Sequence, residues 1–496
     1  MKLPLRNIAL TVAIPLLTVY CQKTSLHAQD YVKPDFMVSD STGYDYDSPE
    51  LSVSNAGDMV VVWENTGGGG IWFKTISALG TVLSEQKSVK STFSHDVTRV
   101  AHTDSGNFMI IFGGYQGSWS VYGQAYDEEG NTIGDTINIT RNTSEMIQAT
   151  WASLTADSSN QFVVMLPGFD SMIVEKVSGL GEFIGDPVVL KPAMANIQYP
   201  TGLMTRSGHY IMAWLDIIGG NIHGRRFTPE GVPAGESFQV SEKEENSFVK
   251  DMALCADTAG NFAVIWTVLK DSIMEMYSQH YSAEGVATGT DARITGGKFT
   301  ISPKISASMD LDGKYIVAWR DTRSNDTAFI YLQQMDNQGG KVGDVYRATS
   351  INNKSLSGSQ SSLNQLHPSV RILRDTIYLA WENFNQDINY RQVIYANIQK
   401  WRLPATGWDS RINAHVETMI YPNPSAGMVK LITDPAYYGH MELNVYNTAG
   451  TLVRQESRSF SGPEITLDLS DVPAGVYYIN LRGDSFYSSK PLIILK

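Results

Sequence analysis

Asp312-Gly313-Lys314-Tyr315-Ile316-Val317-Ala318-Trp319 is a turn that runs straight into an apolar stretch closed by a large side chain, and the chain repeats this phrase. Asn55-Ala56-Gly57 leads into Val60-Val61-Val62-Trp63 in the same way. The large residues are Trp63, Phe112, Leu166, Trp214, Trp266, Trp319 and Trp381, spaced 49, 54, 48, 52, 53 and 62 apart. A recurring unit of this length made of short strands cannot bury its apolar faces alone, so it must pack on its neighbours.

Each unit divides into four expected strands. Strand A is short and often follows Pro (Pro49, Pro200, Pro303, Pro368). Strand B is the most apolar, as expected for a strand buried on both faces. Strand C ends near Ile76, Tyr126, Val177, Phe227, Tyr281, Met335 and Ile398, with Gly80, Gly130, Gly181, Gly231, Gly285 and Gly339 four residues later in the first six units. Seven units of four antiparallel strands resemble a seven-bladed β-propeller over 35–402. The large residues then read as packing between blades, not as a ligand platform. Asp35-Phe36-Met37-Val38-Ser39 looks like a displaced strand D able to complete blade seven, and Arg411-Ile412-Asn413 competes for that slot.

The A–B and C–D turns fall on one face of such a ring, the B–C and D–A connections on the other. The second set varies most, and variable loops on a rigid scaffold are where binding resides. The ligand-binding candidates there are Arg320, Asp321, Arg323, Asn383 and Phe384, the two Arg being suited to a carboxylate or sulfate. Asp or Asn two places after the Trp (Asn65, Asp216, Asp321, Asn383) is accounted for by turn chemistry without a ligand.

Residues 1–28 read as a secretory signal: Lys2 and Arg6, an apolar stretch from Ile8 to Tyr20 too short to span a bilayer, and cleavage between Ala28 and Gln29. The formal charge is −13; losing three basic residues leaves 35 basic against 51 acidic, or −16, which argues against nucleic acid or an anionic membrane as partner. No transmembrane helix is expected. Only Cys255 remains after cleavage, so no intramolecular disulfide forms. No nucleophile elbow, zinc motif or phosphate loop is present, and neither cofactor, metal nor catalytic residue is assigned. The Ser-x-Asp-x-Gly-x-Thr-Trp box of sialidase propellers is also absent, since Gly and Trp stand six apart here (Gly57 to Trp63).

After a linker over 403–417 the grammar changes. Tyr421-Pro422-Asn423-Pro424 with Gly427, the run from Leu443 to Gly450, Leu467-Asp468-Leu469, Pro473-Ala474-Gly475 and the terminal stretch ending at Lys496 occur in that order. Alternating short runs with Gly turns indicate a small Ig-like β-sandwich over 418–496. These motifs closely resemble the C-terminal sorting domain of type IX secretion. The resemblance implies the type IX machinery as partner and a secreted or outer-membrane-surface location in a Gram-negative bacterium. The expected fold class is all-β. The expected function is recognition of an extracellular glycan or protein by the variable face. The alternatives are a polysaccharide-directed hydrolase or lyase and a structural surface protein.

Overall fold

The computed structural model describes residues 31–40, 45–65, 69–89, 97–115, 119–141, 147, 151–192, 197–241, 247–271, 273–297, 304–324, 327–349, 365–385, 391–401, 414–415, 417–447, 451–483 and 486–495. The signal segment and its Ala28–Gln29 junction lie outside these residues, as do Gly450 and Lys496. The chain divides into one compact unit over Gln29–Arg411 and another containing Ile412–Lys496.

The first unit is a seven-bladed propeller of four-stranded antiparallel sheets. Blade one shows the plan: strand A Tyr46–Val53, B Met59–Asn65, C Ile71–Ile76 and D Lys87–Val89, paired in that order. Each strand A touches the strand A of the blade on either side, all the way round, and blade seven meets blade one. The ring therefore closes. Blade seven takes its fourth strand from the N-terminus: Tyr31–Met37 pairs antiparallel with its strand C, Arg391–Lys400. The bonding continues past the strand, with the Val38 amide donating to the Ile394 carbonyl at 2.7 Å and the Ile394 amide to Ser39 Oγ at 3.0 Å. The competing segment 411–413 lies outside the described residues, and the N-terminal strand already occupies the edge it would have filled. Closure removes an exposed edge that would otherwise template association.

Strand B runs on beyond its large residue, against the expectation that it stops there. It ends at Asn65 in blade one, Ser324 in blade six and Asn385 in blade seven. The hairpin continues because each large residue sits directly opposite a partner on strand C: Trp63 and Trp72, Phe112 and Tyr122, Leu166 and Ile173, Trp214 and His223, Trp266 and Tyr277, Trp319 and Tyr331, Trp381 and Tyr395. Five of these pairs stack with interplanar angles of 16–29°. Trp63, Trp214 and Trp381 are fully buried, so these residues are packing elements.

The inner edges of the strands A would leave backbone amides unpaired, and short polar side chains from the neighbouring blade satisfy them. The Leu51 amide donates to Ser369 Oγ, His102 to Ser52 Oγ, Val370 to Ser306 Oγ, Ile372 to Ser308 Oγ and Ile305 to Asp251 Oδ2, at 3.0–3.1 Å. Blades two, five and six share a further device that the sequence pattern did not reveal. Gln124, Gln279 and Gln333 stand where the C–D register slips, and each amide donates to a strand D carbonyl: Ile133, Thr288 and Gly343, at 3.1–3.2 Å. The bulge suits Gly134, Gly289 and Gly343, whose φ angles of 64–72° penalise other residues.

The second unit is a sandwich built on a long bent hairpin, Met428–Asn447 with Leu452–Asp468. Its register breaks between Ile432 and Tyr437. Before the break the hairpin pairs with Glu417–Tyr421; after it, with Gly475–Gly483, which pairs in turn with Phe486–Ile494. Leu431, Val445, Leu467, Leu481 and Leu492 fill the space between the layers. Pairing begins with Ala414–His415 beside Phe486 and Tyr487, upstream of the expected start at 418. The Tyr421-Pro422-Asn423-Pro424 motif has a mechanical reason. The Asn423 side chain donates to the Pro491 carbonyl at 2.8 Å and accepts from the Ile493 amide at 2.9 Å, holding the last strand in place. Gly427 (φ 121°) passes so close to Ser470 that a Cβ would lie 2.7 Å from its Cα, which excludes any side chain.

Candidate functional site

Strands A line the central channel, and because each enters from a D–A connection, their N-terminal ends mark the variable face. A cavity of about 750 Å³ runs along these strands, from Glu50, Trp151 and Lys304 toward that face to His102, Ala256 and Met309 at their far ends. Its charged lining is Glu50 and Glu64 from blade one, Arg99 from blade two, Lys250 and Asp251 from blade five, Lys304 from blade six and Arg371 from blade seven. Trp151, on the approach to strand A of blade three, adds an aromatic face and packs edge-on to Tyr199 at 5.1 Å. A smaller cavity of about 150 Å³ lies at the A–B end, bordered by His102, Asp157, Thr205 and Asp257.

Two carboxyl groups of the cavity lining, Glu64 and Asp251, and Asp47, which pairs with Glu64 across the A–B hairpin, are held partly protonated near neutrality. Burial pushes Glu64 up to about 7 and nearby Asp47 adds to it, while the Thr98 hydroxyl, donating at 2.7 Å, with Lys304 and Arg99, pulls the other way. Asp47 rises to about 6, again mainly by burial and then by repulsion from Glu382, against His367 and Lys304. Its Oδ1 is buried without a hydrogen-bond partner among the described residues. Asp251 also rises to about 6 by burial, against the Ile305 and Met252 amides that donate to it and the charges of Lys304 and Arg99. Glu50 is held between blades: it accepts from Ser369 Oγ at 3.0 Å and lies 3.7 Å from Arg99. Arg371 is pulled below its ordinary range by burial, against Glu50.

Glu64, Arg320 and Glu382 hold the same position in blades one, six and seven, one residue after the Trp. Strand alternation turns that residue away from the side on which the Trp packs. Glu382 is fully buried; it pairs with His367 Nδ1 at 2.8 Å and accepts from Gln392 Nε2 at 2.6 Å. Burial lowers Arg320 to about 10, opposed by Glu382, and its Nε has no partner among the described residues. Of the sequence candidates, only Arg320 joins this group. Asp321 and Asn383 are buried on the extended strands B. Arg323 and Phe384 lie on the same extensions, their side chains outside the described residues. In blade four, Asp216 caps a turn, accepting from the Ile218 and Gly219 amides at 3.0 and 2.9 Å. The sequence reading missed Glu64, Asp47, Lys304 and Trp151. A period count one position past the Trp finds Glu64 and Glu382, but nothing local marks Lys304 or Trp151.

Residues 419–495 match the profile of the secretion system C-terminal sorting domain. The tail is a type IX sorting domain. It sends the protein to the cell surface or the exterior of a Gram-negative bacterium. No curated protein sequence matches the chain. Among solved structures, a Dyadobacter fermentans protein of unknown function is similar at 9% identity and TM-score 0.42, covering 75% of this chain and 99% of its own. A Fusarium graminearum GH93 α-L-arabinofuranosidase shows 8% identity and TM-score 0.42 (75% and 98%). A PL25 ulvan lyase shows 8% and 0.45 (76% and 95%). Among the described residues no group of three or more His, Cys, Asp or Glu is placed to hold a metal ion, and no helix is long and apolar enough to cross a membrane.

Proposed function

We propose that the exported propeller binds an extracellular saccharide in the mouth of its channel on the variable face. The observation that carries this reading is the 750 Å³ cavity, which combines ionisable groups from five blades with Trp151 and the hydroxyls of Ser52, Thr98 and Ser153. Its size falls within the range of small-ligand pockets, about 300–1,000 Å³. A sugar ring offers an apolar face for stacking and hydroxyls for polar groups, and this lining has both partners. Glycan-array binding by the mature chain, lost in Trp151→Ala with the fold intact, supports the reading. An array without any bound saccharide overturns it.

A second reading, a polysaccharide hydrolase or lyase, draws on Glu64. A carboxyl near 7 beside a second carboxyl is the pairing that glycoside cleavage uses for its acid and its charge partner. Release of shortened saccharide from a bound polysaccharide, abolished in Glu64→Gln, favours cleavage; binding without product favours recognition alone.

A further inference from the structure

We propose that the saccharide taken by the channel mouth is anionic, with its carboxylate or sulfate seated among Lys304, Lys250 and Arg99. This rests on the saccharide reading above and names the ligand's charge. The protein as a whole carries −13, yet the cavity lining holds four cations, Arg99, Lys250, Lys304 and Arg371, against three carboxyl groups, Glu50, Glu64 and Asp251.

Those three carboxyl groups do not use up the cations. Glu50 is engaged by Ser369 and Arg99. Asp251 spends its two oxygens on the Ile305 and Met252 amides, both at 3.0 Å, so it acts as a clamp between blades five and six. Glu64 accepts from Thr98. Neither lysine forms an ion pair within 4.0 Å among the described residues; Lys304 is exposed, and Lys250 has its Nζ 5.7 Å from the Phe248 ring. Lys304 lines the same cavity as Glu64 and Asp251, and its charge acts on both and on Asp47, so its ammonium serves blade five beside it and blade one across the channel. Two lysines without a carboxylate partner among the described residues, lining a polar cavity with hydroxyls and one Trp, fit a sugar acid or a sugar sulfate.

Proton uptake strengthens the same preference. Glu64 faces Thr98 and Arg99 of blade two, Asp47 of its own blade and Lys304 of blade six. Asp251 faces the Ile305 and Met252 amides, Lys304 and Arg99. Both become neutral as pH falls through about 7 and about 6, leaving the cations less opposed.

The test is calorimetric titration of the mature full chain with three probes: oligogalacturonate, a sulfated carrageenan oligosaccharide and neutral cellohexaose. At least one anionic probe is expected to bind, more tightly at pH 5.5 than at pH 8 and more weakly as salt rises. Lys304→Gln and Lys250→Gln should each weaken that binding about tenfold, the loss of one charge-assisted contact. Lys341→Gln, an exposed lysine on strand D of blade six, should leave it unchanged. The two anionic arms separate a carboxylate from a sulfate ligand. Cellohexaose binding as tightly as either anion, insensitive to both lysine changes, overturns the charge assignment and leaves saccharide binding standing. Failure of all three probes overturns both.

Discussion

Replacing Glu64 by Gln should stabilise the propeller at alkaline pH and do nothing at acid pH. The carboxyl is 6% exposed and is raised from 4.5 to about 7, chiefly by burial. A carboxyl with a raised folded pKa contributes stability that is fully present below its unfolded value and lost as pH rises through the folded one. A displacement from 4.5 to about 7 corresponds to about 3 kcal/mol. Gln never ionises, and its Oε1 still accepts from Thr98, so the variant escapes that loss. The expected gain over the parent is about 3 kcal/mol at pH 8 and close to zero at pH 4. Urea unfolding followed by tryptophan fluorescence is a clean assay, because all ten Trp fall between 63 and 408 and none lies in the sorting domain. An equal change at both pH values, or a less stable variant at pH 8, refutes the assignment of Glu64 as a buried carboxyl at the mouth.

Trp214 is fully buried opposite His223, and Trp214→Ala should cost about 3–5 kcal/mol in the same assay. Deleting residues 29–37 removes the strand that pairs with Arg391–Lys400 and the Asp35 carboxylate that accepts from Asn397 Nδ2 at 2.8 Å. The shortened chain should melt at lower temperature and self-associate on a sizing column. Asn423→Ala removes two bonds to the last strand of the sorting domain, and amide exchange at Ile493 should speed up by roughly fivefold, the loss of about 1 kcal/mol.

The propeller was legible because its signal is repeated and local. An apolar run with a large residue recurs seven times, and each occurrence makes the same cross-strand pair. The closing strand was legible too, since 35–39 reads as a strand D without a blade, and the segment Tyr31–Met37 fills that place. The sorting tail was legible because its motifs are mechanical: Asn423 bonds the last strand, and Gly427 holds a position that no side chain fits. The channel mouth was not legible. Its charged groups come only one or two from a blade, some fifty residues or more apart in the chain, and no local pattern distinguishes Lys304 from any surface lysine. The reading of blade six fixed on Arg320 and Asp321 as a pair, but strand alternation buries Asp321 in the sheet and sets Arg320 against Glu382 of the next blade. The Gln residues in the bulges of blades two, five and six escaped for a similar reason: their role depends on the neighbouring strand D.

Hydrogen-exchange mass spectrometry of the mature chain, with and without oligogalacturonate or the sulfated oligosaccharide, tests most directly whether the channel mouth is the binding site. Protection is expected in peptides covering 46–52, 98–101, 151–155 and 247–252, which carry the mouth residues of blades one, two, three and five. Protection confined to the A–B turns around Asp104, Asp157 and Asp257, with the mouth unaffected, would contradict the account.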